Sequence, residues 1–159
     1  LKLMQLSRLT KEEYCLLQSL SASERSEDPD TKVGAVVVNQ FNEILSTGYN
    51  GLKPGNALPP KLSRDEKRKH MIHAEQNALR GLTNRDDPDT IYISLSPCLP
   101  CAQSIMAYPI KRVIYGKEYP RDNRFKEIFD LYGIEYYEAS DKMKKNISRS
   151  LVNLLTYWE

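Results

Sequence analysis

Short apolar blocks alternate with polar segments along the whole chain, and their spacing predicts both strands and helices. Five blocks rich in β-branched or aromatic residues predict strands at 33–38, 44–49, 90–95, 111–116 and 134–139. Apolar positions three or four residues apart predict five helices at 9–23, 73–82, 99–108, 124–132 and about 143–158. The order of these elements predicts an α/β fold that is layered around one central sheet.

The connections between the predicted strands set the expected topology of this sheet. Residues 39–43 form a turn, so the first two strands are expected to pair as an antiparallel hairpin. Helices separate the last three strands, which are therefore expected to run parallel or nearly so through right-handed crossovers, although helices this short also allow other strand orders. Thr10 and Glu13 have the spacing of a capping box, which places the start of the first helix.

The segment 50–70 interrupts this regular order and is predicted to be a long basic loop. It contains three Pro and two Gly residues, which break regular structure. Six basic side chains against Asp65 and Glu66 give it a charge of +4, in a chain whose net charge is +2. Such a run is either a solvated charged surface, the usual case, or a site for a polyphosphate.

Composition narrows the class of protein, its location and its partners. With 159 residues, 40% hydrophobic and 28% charged, the chain is expected to form one soluble domain over 1–159. No apolar run approaches the ~20 residues of a membrane span, and the small net charge does not indicate a nucleic-acid binder. Three Cys residues are not a disulfide framework, so a reducing cytoplasm is expected. Cys15 is expected to be a small buried hydrophobe.

One constellation carries the chemistry of the chain. His73-Ala74-Glu75 is followed by Pro97-Cys98-Leu99-Pro100-Cys101, which offers one imidazole and two thiols. These are three ligands for a zinc ion that prefers four, so one position is left open for water, as in catalytic zinc sites. Cys98 and Cys101 share one side of a helix start, whereas His73 and Glu75 serve one site only if their helix begins near His73. The spacing therefore predicts two helix N-termini that converge on one ion.

Glu75 is predicted to be the proton shuttle of this site. Two thiolates and a neutral imidazole leave the zinc nearly neutral, so the water needs a base beside it. The pattern His-x-Glu followed by Pro-Cys-x-x-Cys is the known signature of zinc deaminases that act on nucleobases. The predicted reaction is hydrolytic deamination of an amidine-like ring, cytosine or adenine.

Other functions fit parts of this pattern. A polynucleotide deaminase would use the same signature on tRNA adenosine or single-stranded cytosine, but it needs a basic track and stacking aromatics for the base. A zinc-stabilised binding module without catalysis would need the metal ligands and not Glu75. A Cys-x-x-Cys pair alone would fit redox chemistry or structural zinc.

Several sequence blocks, taken together, resemble the deoxycytidylate (dCMP) deaminases of the cytidine deaminase superfamily. The blocks are SERSEDPDTKVGAVVV, GYNGLKPG, HAEQNA, SPCLPC and VIYGKEYPRD. The resemblance implies a three-layer α/β/α sandwich with a five-stranded mixed sheet, and hydrolysis of dCMP to dUMP and ammonia for thymidylate synthesis. It also implies a homohexamer that dCTP activates and dTTP inhibits, with Mg²⁺ accompanying the triphosphate. A phage-type member would act in the host cytoplasm.

The resemblance also implies roles for individual residues. His73, Cys98 and Cys101 are the zinc ligands, and Glu75 shuttles the proton. Asn50 would contact the base and sugar, and the backbone N–H of Ala74 would face the base carbonyl. Arg25 and Ser26 match a segment near the substrate phosphate, and Tyr119 matches a tyrosine that closes over the substrate. Asn50 with Gly51 is also a common turn dipeptide, and Tyr119 could equally be a core or interface aromatic.

An effector site is predicted in the basic segment. Three phosphates need several cations and N–H donors, which suggests the residues Gly51, Lys53, Lys67, Arg68 and His70. His70 could instead be an ordinary surface or core residue. Some relatives hold a second zinc with extra Cys and His in this segment, which here has no Cys and one His. One zinc per subunit is therefore expected.

Overall fold

A computed structural model describes residues 8–57 and 62–159, in which five strands and six helices form. In chain order these are α1 (Lys11–Ser23), β1 (Gly34–Val38), β2 (Ile44–Tyr49), α2 (Arg64–His70), α3 (Ala74–Arg80), β3 (Thr90–Leu95), α4 (Leu99–Met106), β4 (Arg112–Lys117), α5 (Phe125–Tyr132), β5 (Glu135–Glu138) and α6 (Asp141–Leu155). Residues 58–61 of the predicted basic loop lie outside the described residues, as does the start of the predicted domain at 1–7.

The five strands form one mixed sheet in the order β2-β1-β3-β4-β5. β1 pairs antiparallel with β2 and with β3, whereas β3, β4 and β5 run parallel. The predicted hairpin and the predicted parallel direction of the last three strands are both confirmed.

Side chains of the central strands alternate between two separate cores. On one face, Ala35 and Val37 of β1 pack with Ile91 and Ile93 of β3 and with residues of α3, α4 and α5. On the other face, Val36 and Val38 pack with Tyr92, Ile114 and residues of α1 and α6. Because helices cover both faces, the expected α/β/α sandwich with a five-stranded mixed sheet is confirmed.

The ends of the helices follow the capping residues. The backbone N–H of Glu13 donates to Thr10 Oγ1 at 3.1 Å and the N–H of Thr10 donates to the Glu13 carboxylate at 2.9 Å, so the predicted capping box is present. The C-terminal helix begins at Asp141, two residues before the predicted start, because Ser140 caps it. In the described part of the chain, no helix is both long and apolar enough to span a membrane.

Helix α2 corrects the prediction of a continuous loop over 50–70. Residues 64–70 are helical, and Ser63 and Glu66 form a second capping box at their start. The helix has no apolar residue, so hydrophobic periodicity could not reveal it. The Ser-x-x-Glu spacing was the available signal.

Candidate metal centre and active site

The three predicted metal ligands lie together at the edge of the sheet where β3 ends. His73 Nδ1 is 3.4 Å from Cys98 Sγ and 3.2 Å from Cys101 Sγ, and the three ligand atoms all lie within 4.8 Å of one another. Bonds of about 2.0 Å to nitrogen and 2.3 Å to sulfur at tetrahedral angles would separate nitrogen and sulfur by about 3.5 Å. The donor set and its spacing therefore fit one tetrahedral zinc ion with a fourth position left over.

Two helix starts bring these ligands together. His73 is the N-cap of α3 and Cys98 is the N-cap of α4, while Cys101 lies in the first turn of α4 and is fully buried. Pro100 occupies the first turn of α4, where its missing N–H costs no hydrogen bond. Asp122 further fixes this turn, since its carboxylate accepts a 3.0 Å hydrogen bond from the backbone N–H of Leu99. The N-termini of α3 and α4 therefore converge on the candidate metal site, as the spacing predicted.

The two thiols differ widely in pKa. A hydrogen bond from Cys101 lowers the pKa of Cys98 to about 4. The same hydrogen bond, together with burial, raises the pKa of Cys101. The pKa of His73 is raised, chiefly by its hydrogen bond with Cys98. A cation that binds both sulfurs takes them as thiolates and releases their protons, which couples metal binding to pH.

Glu75, the second residue of α3, lies next to the three metal ligands. Its side chain is almost completely buried, with 4% of the residue exposed, and burial raises its pKa to about 7. A carboxyl group with a pKa near neutrality both accepts and returns a proton readily. Glu75 therefore has the surroundings that a proton shuttle requires.

A cavity of about 400 Å³ opens onto the candidate metal site. Its wall includes His73, Ala74, Glu75 and Cys98 from the site itself. Four further residues from the sequence predictions line it, namely Asn50, Lys67, Arg68 and Tyr119. The volume suits a small organic ligand rather than a chain of nucleotides.

Asn50 is buried in the cavity wall and braces the loop that precedes β1. Its Oδ1 accepts from the N–H of Val33 at 2.9 Å, and its Nδ2 donates to the carbonyl of Thr31 at 2.8 Å. It also donates to Asp28 Oδ2 at 3.4 Å. The oxygen and the nitrogen of the amide are thus both hydrogen-bonded. The second lone pair of Oδ1 can still accept a hydrogen bond from a ligand.

Other predicted residues lie away from the cavity lining. Arg25 is exposed with its guanidinium 5.7 Å from the centre of the Tyr49 ring, and Ser26 is buried and accepts a hydrogen bond from the Asp28 N–H. The predicted effector residues Gly51, Lys53 and His70 do not line the cavity either. Gly51 pairs with Ile72 in an isolated β-bridge.

Lys67 differs most from its expected setting. It was predicted as a cation of a basic loop, but the structure buries it on α2 with 5% of the residue exposed. Its ammonium group lies 2.5 Å from Asp28 Oδ1 and also binds the carboxylate of Asp30. Its charge is therefore already matched by two carboxylates, which sequence patterns could not reveal because these partners are 39 and 37 residues away.

Two further cavity residues have clear positioning contacts that the sequence did not reveal. The hydroxyl of Ser96, which follows β3, accepts a 2.7 Å hydrogen bond from the backbone N–H of Tyr119 and so fixes the segment after β4. Asp122 lies three residues further along this segment and is held by Arg124 as well as by the start of α4. The hydrogen bond from Arg124 keeps the pKa of Asp122 well below its ordinary value.

Comparison with known proteins agrees with this site. Residues 9–117 match the family model described as the cytidine and deoxycytidylate deaminase zinc-binding region. The deoxycytidylate deaminase of Pongo abelii is 32% identical over 145 residues, with 84% of this chain and 82% of that protein covered. The deoxycytidylate deaminase of Mycobacterium phage D29 is 36% identical over 129 residues, with 71% and 99% covered.

A solved structure gives the same result for the fold. The dCMP deaminase of cyanophage S-TIM5, in complex with dCMP and dUMP, matches with a TM-score of 0.70 and 29% identity. The match covers 81% of this chain and 96% of that one. The resemblance carried by the sequence blocks is confirmed, and the chain belongs to the family of zinc-binding cytidine and deoxycytidylate deaminases.

Proposed function

We propose that this protein catalyses the zinc-dependent hydrolytic deamination of dCMP to dUMP and ammonia. The observation that carries the proposal is the buried Glu75 in the same cavity wall as His73 and Cys98. The relatives named deoxycytidylate deaminase, and the solved structure with dCMP and dUMP, support dCMP as the substrate.

Each residue of the site has a distinct task in this reaction. When bound by His73, Cys98 and Cys101, zinc activates a water molecule for attack on an electrophilic carbon. Water adds at C4 of the cytosine ring and the amino group leaves as ammonia. Glu75 accepts one proton of the attacking water and passes it to ring N3, and then carries the second proton, from the new C4 hydroxyl group, to the departing amine.

The cavity wall supplies the groups that orient the base. Ala74 is the first residue of α3, so its backbone N–H has no partner within the helix and is available to the base carbonyl. Asn50 has one free lone pair for the base or the sugar, and we propose that Tyr119, which lines the cavity, covers the bound ring.

Regulation and assembly belong to the same proposal. We propose activation by dCTP and inhibition by dTTP, with Mg²⁺ accompanying the triphosphate, in a homohexamer that serves thymidylate synthesis. Because Lys67 is paired in the structure and Arg68 lines the substrate cavity, the effector test rests on Lys53 and His70. Substituting Ala for both should blunt dCTP activation without changing the basal rate. Unchanged activation would remove these residues from the effector site.

Ammonia release from a panel of substrates tests the activity. The panel contains dCMP, CMP, dCTP, deoxycytidine, guanine, single-stranded DNA and tRNA, each with and without dCTP or dTTP. Turnover of dCMP well above that of the other substrates is expected. Turnover of a polymer alone would favour the polynucleotide deaminase instead.

The substitution Glu75→Gln tests the mechanism. It is expected to keep zinc, measured by metal analysis, while turnover falls by about 10²–10⁴-fold or more, the range for a lost general acid–base. Glu127→Gln, at an exposed position on α5, is the matched control and should keep full activity. Full turnover by Glu75→Gln would remove Glu75 from the mechanism. If the unmodified zinc-loaded protein turns over no substrate of the panel either, the non-catalytic binding module is favoured.

A further inference from the structure

The backbone beside Asn50 is joined to the backbone beside the metal centre. Gly51, which follows Asn50, exchanges two hydrogen bonds with Ile72. The N–H of Gly51 donates to the Ile72 carbonyl at 3.0 Å, and the N–H of Ile72 donates to the Gly51 carbonyl at 2.7 Å. Because Ile72 directly precedes the metal ligand His73, these hydrogen bonds fix the main chain of Asn50 relative to the candidate metal site.

The side chain of Asn50 is oriented by residues 28–33, the segment that precedes β1. The N–H of Val33 donates to Asn50 Oδ1, whereas Asn50 Nδ2 donates to the Thr31 carbonyl. Nδ2 also donates to Asp28 Oδ2. Because the first partner is a donor and the other two are acceptors, a rotated amide would meet like groups on both sides. The free lone pair that Asn50 presents to the cavity therefore depends on where this segment lies.

Asp28 gives this segment its shape. Residues 28–32 belong to no helix or strand, so no ladder of backbone hydrogen bonds holds them. Instead, Asp28 Oδ1 accepts hydrogen bonds from the backbone N–H groups of Asp30 at 2.8 Å and of Thr31 at 3.2 Å, as in an Asx turn. One buried carboxylate thus both folds the segment and reaches the amide of Asn50.

Lys67 fastens this carboxylate to α2. The other residues of α2 are exposed and none is apolar, so no hydrophobic face holds this helix in place. Lys67 is buried instead, and its ammonium group lies 2.5 Å from Asp28 Oδ1. Beyond α2 the chain continues to Ile72, the partner of Gly51. The contacts therefore form a closed ring in the cavity wall, which returns to α2 by way of Asn50 and Asp28.

We infer that Lys67 is a positioning residue, which through Asp28 holds the amide of Asn50 in place for a bound ligand. The ammonium group of Lys67 is already paired with Asp28 and Asp30, so its effect on a ligand passes through the amide. The inference rests on the proposed function, in which Asn50 contacts the base or the sugar of the substrate. It goes beyond that function because it assigns part of the binding strength to a charge pair that acts through another side chain.

Asp28→Asn is the sharpest test, because it keeps the shape of the side chain and removes its charge. If its carbonyl oxygen takes the place of Oδ1, its NH₂ group faces Asn50 Nδ2, so two donors meet where a donor had met an acceptor. In the zinc-loaded protein, KM for dCMP and Kd for dUMP should rise by about tenfold, as for one lost hydrogen bond, while kcat falls less than about threefold. Lys67→Met should have the same effect on both ligands.

Asp30→Asn is the matched control, since it also removes one carboxylate from Lys67 but leaves the hydrogen-bond partners of Asn50 unchanged. It should weaken dUMP binding by at most about threefold, as should Lys69→Met, an exposed change on α2. Asn50→Ala combined with Asp28→Asn should bind dUMP within about threefold of Asn50→Ala alone, because the side chain through which Asp28 acts is then absent. A charge pair that only stabilised the fold would not give this pattern.

Crystal structures of the zinc-loaded unmodified protein and of Asp28→Asn separate this inference from the proposed activity. A displaced or rotated Asn50 amide in Asp28→Asn supports the positioning role even if neither dCMP nor dUMP binds, in which case only the proposed substrate fails. The inference is overturned if the amide keeps its place and orientation, if Asp30→Asn weakens dUMP binding as much as Asp28→Asn does, or if the two losses multiply in the double variant. If the double variant does not fold, the single variants and the crystal structures decide.

Discussion

Lys67 is a single buried residue that joins α2, in the wall of the cavity, to the loop before β1. Burial alone would lower the pKa of Lys67, but hydrogen bonds with Asp28 and Asp30 outweigh it and raise that pKa. Burial would likewise raise the pKa of Asp28, yet the hydrogen bond from Lys67 and those from the Asp30 and Thr31 backbone leave it below its ordinary value. Asp28 also meets Asn50, so the pair fixes the loop before β1 against the cavity wall.

Removing the ammonium should be costly, because it leaves a carboxylate buried without its partner. Lys67→Met is expected to lower the free energy of unfolding by about 3 kcal/mol, as for one partner of a buried ion pair. Urea unfolding followed by circular dichroism measures this. Lys69→Met, an exposed change on the same helix, should stay within about 0.5 kcal/mol of the unmodified protein. Equal effects of the two substitutions would show that the Lys67 pair is not stabilising.

The same pair predicts a dependence of stability on pH. Because the pKa of Asp28 is lower in the folded than in the unfolded chain, its contribution is complete above the unfolded value of about 3.9. It is lost as the pH falls through the folded value. The difference in unfolding free energy between the unmodified protein and Asp28→Asn should therefore be constant from pH 7 to about pH 5 and shrink below about pH 4.

Urea unfolding between pH 7 and pH 3 measures this difference. Asp65→Asn, at an exposed position on α2, is the control and should show no such trend. A difference for Asp28→Asn that stays the same down to pH 3 would contradict the assigned charge pair.

At the scale of residues, the sequence predicted those whose chemistry is set by local spacing. His73, Glu75, Cys98 and Cys101 lie in two short motifs, so their convergence followed from helix geometry. The partners of Lys67 were not predictable in this way, because charge pairing between segments that are distant in the chain leaves no periodic pattern in the sequence. Arg25 and Ser26 were carried over from a resemblance, and their distance from the cavity depends on the folded path of one loop.

At the scale of elements, the contact between β2 and α3 sets the position of the catalytic helix. A Cβ on Gly48 of β2 would lie 2.4 Å from the backbone N of Ala78 and 2.5 Å from the carbonyl oxygen of Ala74. Both atoms belong to the backbone of α3. The clash could therefore not be relieved by rotating a side chain. The glycine therefore allows α3, the helix that His73 caps, to lie directly on the strand.

Gly48→Ala should push α3 away from β2 and displace His73 and Glu75 with it. We expect a stability loss of about 1–3 kcal/mol, as for an overpacked core, together with at least about tenfold weaker zinc binding. A competitive zinc titration with a chromophoric chelator measures the affinity.

Gly133→Ala is the matched control for this substitution. Gly133 ends α5 in the left-handed conformation, with φ of 70°, so its substitution costs about 1 kcal/mol without moving the metal ligands. Zinc affinity that falls equally in both variants, or in neither, would mean that the Gly48 contact does not position the site.

Elements with an apolar face were predictable, whereas α2 was not. The five strands and five helices with buried faces appear within a few residues of their predicted ends, because burial imposes a period on the sequence. Helix α2 is held by its capping box and by one buried lysine. A charged helix of this kind carries no hydrophobic period, although its cap was visible in the sequence.

At the scale of the whole molecule, the two hydrophobic cores hold the helix layers against the two faces of the sheet. The C-terminal end of α6 packs in neither core. Ile147 is 3% exposed and packs in the core under α1, whereas the apolar residues after it are 43–88% exposed. These are Leu151, Val152, Leu154, Leu155, Tyr157 and Trp158. Several of them share one helical face with Ile147, as the spacing in the sequence indicates. Beyond Ile147, however, this face no longer packs against the rest of the chain.

Deleting residues 151–159 should therefore leave the fold of a single subunit almost unchanged. Because these side chains gain little burial within the chain, the free energy of unfolding should change by less than about 1 kcal/mol. Ile147→Ala, one turn earlier, should cost about 2–5 kcal/mol, as for a fully buried isoleucine. Urea unfolding of both variants at two protein concentrations tests this. A truncated protein that loses more stability than Ile147→Ala, with a loss that depends on concentration, would mean that another subunit covers these residues in solution, as an oligomer requires.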